Sequence, residues 1–224
     1  MVIVFLLGCL LVGYLLGSVN GSIIVGRCMG IDIRSQGSKN AGATNALRVL
    51  GKKAAALVFL FDFFKAVLAV LLARFAAGWM LSLGVLQESN AADFSLYGQY
   101  LAGLGAVLGH NFPLYFHFKG GKGILASWGV IMILDYRIAI ALVIVFVLVV
   151  WATRYVSLAS ITSAILYPLF VIAFNAGNLQ PGTAYYIALS LIISILAVYR
   201  HRANIARLTS GTESKLGAKK DKKE

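Results

Sequence analysis

The sequence predicts an all-α integral membrane protein with seven transmembrane helices, its N-terminus outside and its C-terminus cytoplasmic. Three observations lead there. The 224 residues are 60% hydrophobic and only 12% charged, far less charge than a soluble domain carries. The apolar residues fall into long runs, and a helix of about 20 such residues crosses a bilayer. The basic residues gather in alternate connections between those runs, the pattern that orients spans in a membrane.

Taken in order, the apolar runs cover 2–26, 54–77, 97–116, 138–152, 156–174 and 183–199, with a shorter one at 123–134. No A-x-A-like cleavage site closes the first run, so it reads as a retained helix. The 27–53 connection holds Arg27, Arg34, Lys39, Arg48, Lys52 and Lys53 and is assigned to the cytoplasm. The 78–96 connection carries Glu88 and Asp93 without Lys or Arg and is assigned outside. The basic 117–122 loop returns inside, Asp135 and Arg137 mark an outer turn, and Arg154 marks an inner one. The 175–182 connection is uncharged and suits the outside, and the segment from Arg200 is inside. Only a count that includes 123–134 puts every basic connection on one side. Residues 1–207 then form one transmembrane domain, and 208–224 form a basic cytoplasmic tail expected to lack fixed structure.

The net charge of +12 would favour nucleic acid in a soluble protein. Here it follows from topology, so membrane lipids are the expected partner and nucleic acid is not. Cys9 and Cys28 lack disulfide or zinc spacing. Gly13, Gly17 and Gly21, with Gly105 and Gly109, form small-residue stripes for close helix packing. Asp62 and Lys65, at i,i+3 within the second run, are expected to pair structurally.

Two polar inner loops carry the chemistry. The first reads Gly37-Ser38-Lys39-Asn40-Ala41-Gly42-Ala43-Thr44-Asn45, followed by Arg48. Its hydroxyls, amides and glycine backbone suit phosphate oxygens and sugar-like hydroxyls, and a guanidinium grips phosphate with two prongs. The second is Phe118-Lys119-Gly120-Gly121-Lys122-Gly123, where glycine lets the backbone close around an anion and lysine supplies charge. Ser157 and Ser160 open the sixth span, at a helix N-terminus that attracts anions or is simply capped. His201 and Asn204 share a helix face at i,i+3 on the same side. His110, just before the second loop, reads as a helix-packing residue. GxSxG, HExxH and acidic metal clusters are absent from the sequence, so covalent serine chemistry and metal hydrolysis lack support.

GSKNAGATN with Arg48, HNFPLYFHFKGGKG, SLASI and YRHRANI together resemble the motifs of the bacterial acyl-phosphate:glycerol-3-phosphate acyltransferases, in the right order from about Gly17 to Arg207. The resemblance implies a multi-span inner-membrane enzyme of phospholipid synthesis. It would move a fatty acyl group from acyl phosphate to the sn-1 hydroxyl of glycerol 3-phosphate, giving lysophosphatidic acid and inorganic phosphate. Catalytic roles would fall to Ser38, Arg48, Lys122, His201 and Asn204. Substrate binding would involve Gly37, Asn40, Gly42, Thr44, Asn45, Gly120, Gly121, Gly123, Ser157 and Ser160. No metal, cofactor or obligatory protein partner is implied, and the site would face the cytoplasm. The chain departs from the family at Lys39, where Gly is usual, and at Ile124-Leu125-Ala126-Ser127, where Val-Ala-Thr usually follows the second loop. A small organic-phosphate transporter is the rival class, but its polar residues should line several spans near the midplane.

Overall fold

A computed structural model describes residues 2–85, 88–177, 180 and 182–217. Parts of the 78–96 and 175–182 connections, and tail residues 218–224, lie outside these. The described residues form ten α-helices and one short 3-10 turn, with no strand. In chain order they are α1 (Val2–Ser18), α2 (Gly21–Cys28), α3 (Ala43–Val49), α4 (Lys52–Ser82), α5 (Glu88–Asn111), α6 (Ile124–Leu134), α7 (Tyr136–Thr153), α8 (Val156–Asn175), α9 (Thr183–Arg200) and α10 (Arg202–Thr209).

Five runs are long and apolar enough to cross a membrane: Val2–Cys28, α4, α7, α8 and α9. α5 is long but more polar. α6, with 11 residues, spans only about 16 Å against roughly 30 Å of hydrocarbon.

Three boundaries differ from the sequence reading. The first run is interrupted at Val19–Asn20, where the Asn20 side chain accepts from the Ile23 N–H (3.2 Å) and the Ser22 hydroxyl (2.9 Å) and starts a new helix. The run read as 97–116 is a helix from Glu88 to Asn111. It stops early because Phe112 precedes Pro113, and a pre-proline residue is pushed out of the α region. Beyond Arg207 the mostly exposed segment 210–217 is anchored at two points, by buried Glu213 and by the Leu216 N–H, which donates to the Arg154 carbonyl at 2.7 Å.

Lipid supplies no hydrophobic drive between helices, so close backbone approach must hold the bundle. The glycine stripes provide it. A Cβ on Gly13 or Gly17 would overlap the carbonyls of Ala102 or Ala106, and one on Gly105 or Gly109 would overlap the backbone of α1. The core around α5 continues in small residues, Ala66, Ala69, Ala106 and Ala126, with Val70, Val107 and Val130 between them. Large side chains such as Leu7, Phe64, Phe75 and Trp151 point outward, where lipid receives them.

Asp62 and Lys65 pair inside α4 at 2.8 Å. The Lys65 ammonium also donates to the Val19 carbonyl at 2.8 Å, and Asp62 accepts from the Gly21 N–H at 3.2 Å. The pair thus ties α4 to the α1–α2 break, using backbone groups that the interruption leaves free.

Candidate active site

The connections at one end of the bundle fold over the ends of α5, α8 and α9. The loop before α3 is shaped by Asn45. Its side-chain carbonyl accepts from the Ser38 N–H (2.8 Å), and its amide donates to the Ile33 and Gln36 carbonyls (2.9 and 3.0 Å). All three bonds run to the loop itself, so Asn45 spends its polar groups holding the loop's shape. A side chain at Gly37, where φ is +60°, would strike Asn45. Lys39 adopts φ +58°, a left-handed backbone that suits glycine. Asn40 and Gly42 form the turn into α3, whose first turn carries Thr44 and whose last carries exposed Arg48. The Ser38 hydroxyl has no hydrogen bond among the described residues.

The second loop runs along the end of α5. The Gly121 N–H donates to the His110 carbonyl at 3.0 Å. The Arg200 guanidinium, over the Phe112 ring, donates to the carbonyls of Gly120 (3.1 Å) and Gly121 (2.7 Å). Those bonds turn the loop carbonyls toward Arg200. Gly123, at φ +83°, leads into α6 without a side-chain cap. Beside this loop a cleft of about 570 Å³ is lined by Arg34, Lys39, His117, Lys119 and Arg200 among others.

Lys122 reaches across to α10, where its ammonium donates to the Asn204 side-chain carbonyl. The Asn204 amide donates to Glu213 Oε1 at 2.9 Å, and the Ser157 hydroxyl donates to the same oxygen at 2.9 Å. Arg207 donates to Glu213 Oε2 at 2.7 Å. Arg48 approaches the same segment through the Ser214 carbonyl at 3.3 Å. Lys122, Asn204, Ser157, Arg207 and Glu213 thus form one connected group, with Arg48 at its border. Ser160, one turn along α8, is buried and donates to the Val156 carbonyl (2.9 Å).

Burial presses the Lys122 pKa down to about 8, partly opposed by the Glu213 carboxylate. His201 is also pushed down, to about 4, first by burial and then by the Lys122 charge. Its Nδ1 lies 2.7 Å from the Ala197 carbonyl. A neutral imidazole donates there and leaves Nε2 as an acceptor. For Glu213, burial works upward but hydrogen bonds from Asn204, Arg207 and Ser157 outweigh it and hold the carboxyl below its usual value.

Sequence reasoning missed Glu213, Arg200 as a loop clamp, and Arg207. Their signal was thin. Arg200 and Arg207 stand among other basic residues with nothing local to single them out, and Glu213 lies beyond the last apolar run.

These features define a membrane-embedded, all-helical protein with a cationic, hydrogen-bonding group at one end, the kind of site that takes a phosphorylated substrate. The family model described as "Glycerol-3-phosphate acyltransferase" matches residues 7–211. The chain is 43% identical to the glycerol-3-phosphate acyltransferase of Clostridioides difficile (strain 630) over 94% of this chain and 95% of that one. It is 44% identical to that of Shouchella clausii (strain KSM-K16) over 97% and 98%. Its fold is similar to the crystal structure of PlsY (YgiH), an integral membrane glycerol 3-phosphate acyltransferase, in its glycerol 3-phosphate form. The TM-score is 0.78 and the identity 37%, over 95% of this chain and 96% of that one. The chain belongs to the glycerol-3-phosphate acyltransferase family and is an acyltransferase of phospholipid biosynthesis.

Proposed function

We propose that the protein transfers a fatty acyl group from acyl phosphate to the sn-1 hydroxyl of glycerol 3-phosphate, releasing lysophosphatidic acid and inorganic phosphate. The observation that carries this reading is the connected Lys122–Asn204–Glu213 group bordered by Arg48. It supplies fixed cations and donors, and its one hydroxyl, that of Ser157, is bound to a carboxylate that Asn204 and Arg207 already engage.

An acyl phosphate is already activated, so the enzyme's task is to hold two phosphates and align a hydroxyl with the acyl carbon. The hydroxyl oxygen forms the new C–O bond, the bond from acyl carbon to phosphate oxygen breaks, and the departing phosphate keeps the electron pair. Lys122, Arg48 and the N–H groups of Gly120, Lys122 and Gly123, which meet no acceptor among the described residues, stabilise that charge. Ser38, Asn40, Thr44 and Ser160 complete the cradle, while Gly37 and Asn45 set its shape. Asn204 steadies Lys122 directly, and Glu213, held by Ser157, steadies Asn204. The hydroxyl proton goes to a phosphate oxygen. His201, with its pKa near 4, is too weak a base to take it, and its place in the site is to order the start of α10. No cofactor or metal is needed for this chemistry.

The reading includes seven spans, with α5 and α6 counted among them, the N-terminus outside and the site facing the cytoplasm of a bacterial inner membrane. The basic connections support it. Purified protein supplied with acyl phosphate and glycerol 3-phosphate should release phosphate. Turnover with acyl-CoA but none with acyl phosphate would remove the donor assignment. In a variant lacking Cys9 and Cys28, a cysteine at Ser210 should react with an impermeant thiol reagent only in inverted vesicles, and one at Ser82 only in right-side-out ones.

A further inference from the structure

His110 has a role that helix packing does not account for. It sits in the last turn of α5 and is 3% exposed. Its Nδ1 lies 3.1 Å from Lys65 Nζ and 3.6 Å from Asp62 Oδ1. The Lys65 ammonium also donates to Asp62 and to the Val19 carbonyl, both at 2.8 Å. An ammonium has three donors and no acceptor, so His110 takes the third through an Nδ1 lone pair. That leaves the ring proton on Nε2.

The opposite edge of the ring faces the loops. A Cβ on Gly121 would fall on His110 Nε2 and on the Ala41 carbonyl. Nε2 therefore lies where the two anion-binding loops meet, against the glycine between Gly120 and Lys122. Among the described residues this N–H has no hydrogen-bond acceptor. Unlike the fully enclosed Asn111 amide beside it, this edge of the buried His110 ring keeps an opening to the loops, so its N–H is free to meet a ligand or water there. The carbonyls of Gly120 and Gly121 are already claimed by Arg200, and the Ala41 carbonyl beside this edge takes no hydrogen bond from it.

We propose that His110 is a substrate-contacting residue whose Nε2–H donates to a phosphate oxygen held by the Gly120–Gly123 loop. Lys65 and Asp62 act behind it as positioning residues that fix its tautomer from within the membrane. The proposal rests on the acyl-transfer reading for the identity of the anion, a phosphate of glycerol 3-phosphate or of acyl phosphate. It also gives the intramembrane ion pair a task beyond tying α4 to α2.

The test compares two variants of the full-length enzyme in detergent or nanodiscs. His110→Asn keeps an acceptor near Nδ1 for Lys65 but deletes Nε2. His110→Gln places an amide donor near Nε2. Loss of a hydrogen bond to a charged oxygen lowers kcat/KM about tenfold to a hundredfold. That loss is expected in His110→Asn, with thermal stability close to wild type and partial recovery in His110→Gln. The arms separate the source: a rise in KM for glycerol 3-phosphate alone assigns the contact to that substrate, and one for acyl phosphate alone assigns it to the other. The chain has three histidines, so imidazole ¹⁵N–¹H spectra of wild-type protein are readily assigned. The His110 Nε2–H resonance should shift on addition of the phosphate that the KM arm identifies, with inorganic phosphate as the minimal probe. Wild-type kinetics in His110→Asn overturn the proposal. So do equal losses in both variants that track a fall in thermal stability, or a resonance that exchanges with water and ignores every phosphate. Should wild-type protein fail to use acyl phosphate, the donor assignment falls, while the glycerol 3-phosphate titration still judges His110.

Discussion

Lys122 and Asn204 are joined by a hydrogen bond across 82 positions of sequence, and Asn204 hands the contact on to Glu213. A flexible cation from a glycine loop is thereby held at one point by a helix that arrives much later in the chain. The acid two links away keeps the cation from standing uncompensated in a desolvated place.

Lys122 should therefore control the alkaline limb of activity. With its pKa lowered to about 8, the substrate-free enzyme loses this charge between about pH 7 and 9, and kcat/KM for glycerol 3-phosphate should fall over that range. Lys122→Arg should abolish this limb at a reduced level, because a planar fork does not match a one-point contact. Lys122→Ala should cost about a hundredfold or more. Stability moves the other way: above pH 8 the unfolded lysine binds more protons than the folded one, so folding strengthens as pH rises toward 10.5. Kinetic pH profiles and thermal melts check both signs.

Glu213→Gln removes one charge and strands Arg207. A fall of about 1–3 kcal/mol in stability is expected from orphaned buried partners. The wild-type contribution is complete above the ordinary carboxyl value of 4.5 and is lost as pH falls through the lower folded value. The variant's melting curve should be flatter than wild type across that acid range.

Gly13→Ala and Gly17→Ala should each lower thermal stability, because the added carbon meets the backbone of α5 rather than a movable side chain. Gly8→Ala is the internal control. Nothing lies within 4 Å of that position, and alanine favours the helix by about 1 kcal/mol.

Lys39→Gly should stabilise the protein by about 0.5–1 kcal/mol, since a side chain at φ +58° is strained. The same change removes a cation from the cleft shared with Lys119 and Arg200. KM for the phosphorylated substrates should rise at low ionic strength, and the difference should shrink toward about 0.5 M salt.

Much of this was legible because membrane folding obeys few rules. Apolar run length located most of the helices, and the spacing of Gly13, Gly17, Gly105 and Gly109 marks close-packing stripes that the structure pairs as the α1–α5 contact. The break at Asn20 stays hidden, because apolar residues flank it and the Asp62–Lys65 pair that takes up its freed backbone groups is remote in sequence. The site was legible wherever glycine and charge coincide, as at Lys122. Asn45 was read as a ligand when its bonds turn inward, since sequence does not reveal where an amide points. Glu213 was invisible for a related reason: nothing local in a polar segment announces that a carboxylate will be buried against Asn204, Arg207 and the distant Ser157.

Glu213 also gives the molecule a clock. It follows α9 in the chain, so a nascent chain already inserted through α9 carries Lys122 without its counter-charge. The cationic group is completed only when the final segment arrives and docks on Ser157 and Asn204. A chain that stops short of that segment would insert normally and yet remain an unfinished catalyst.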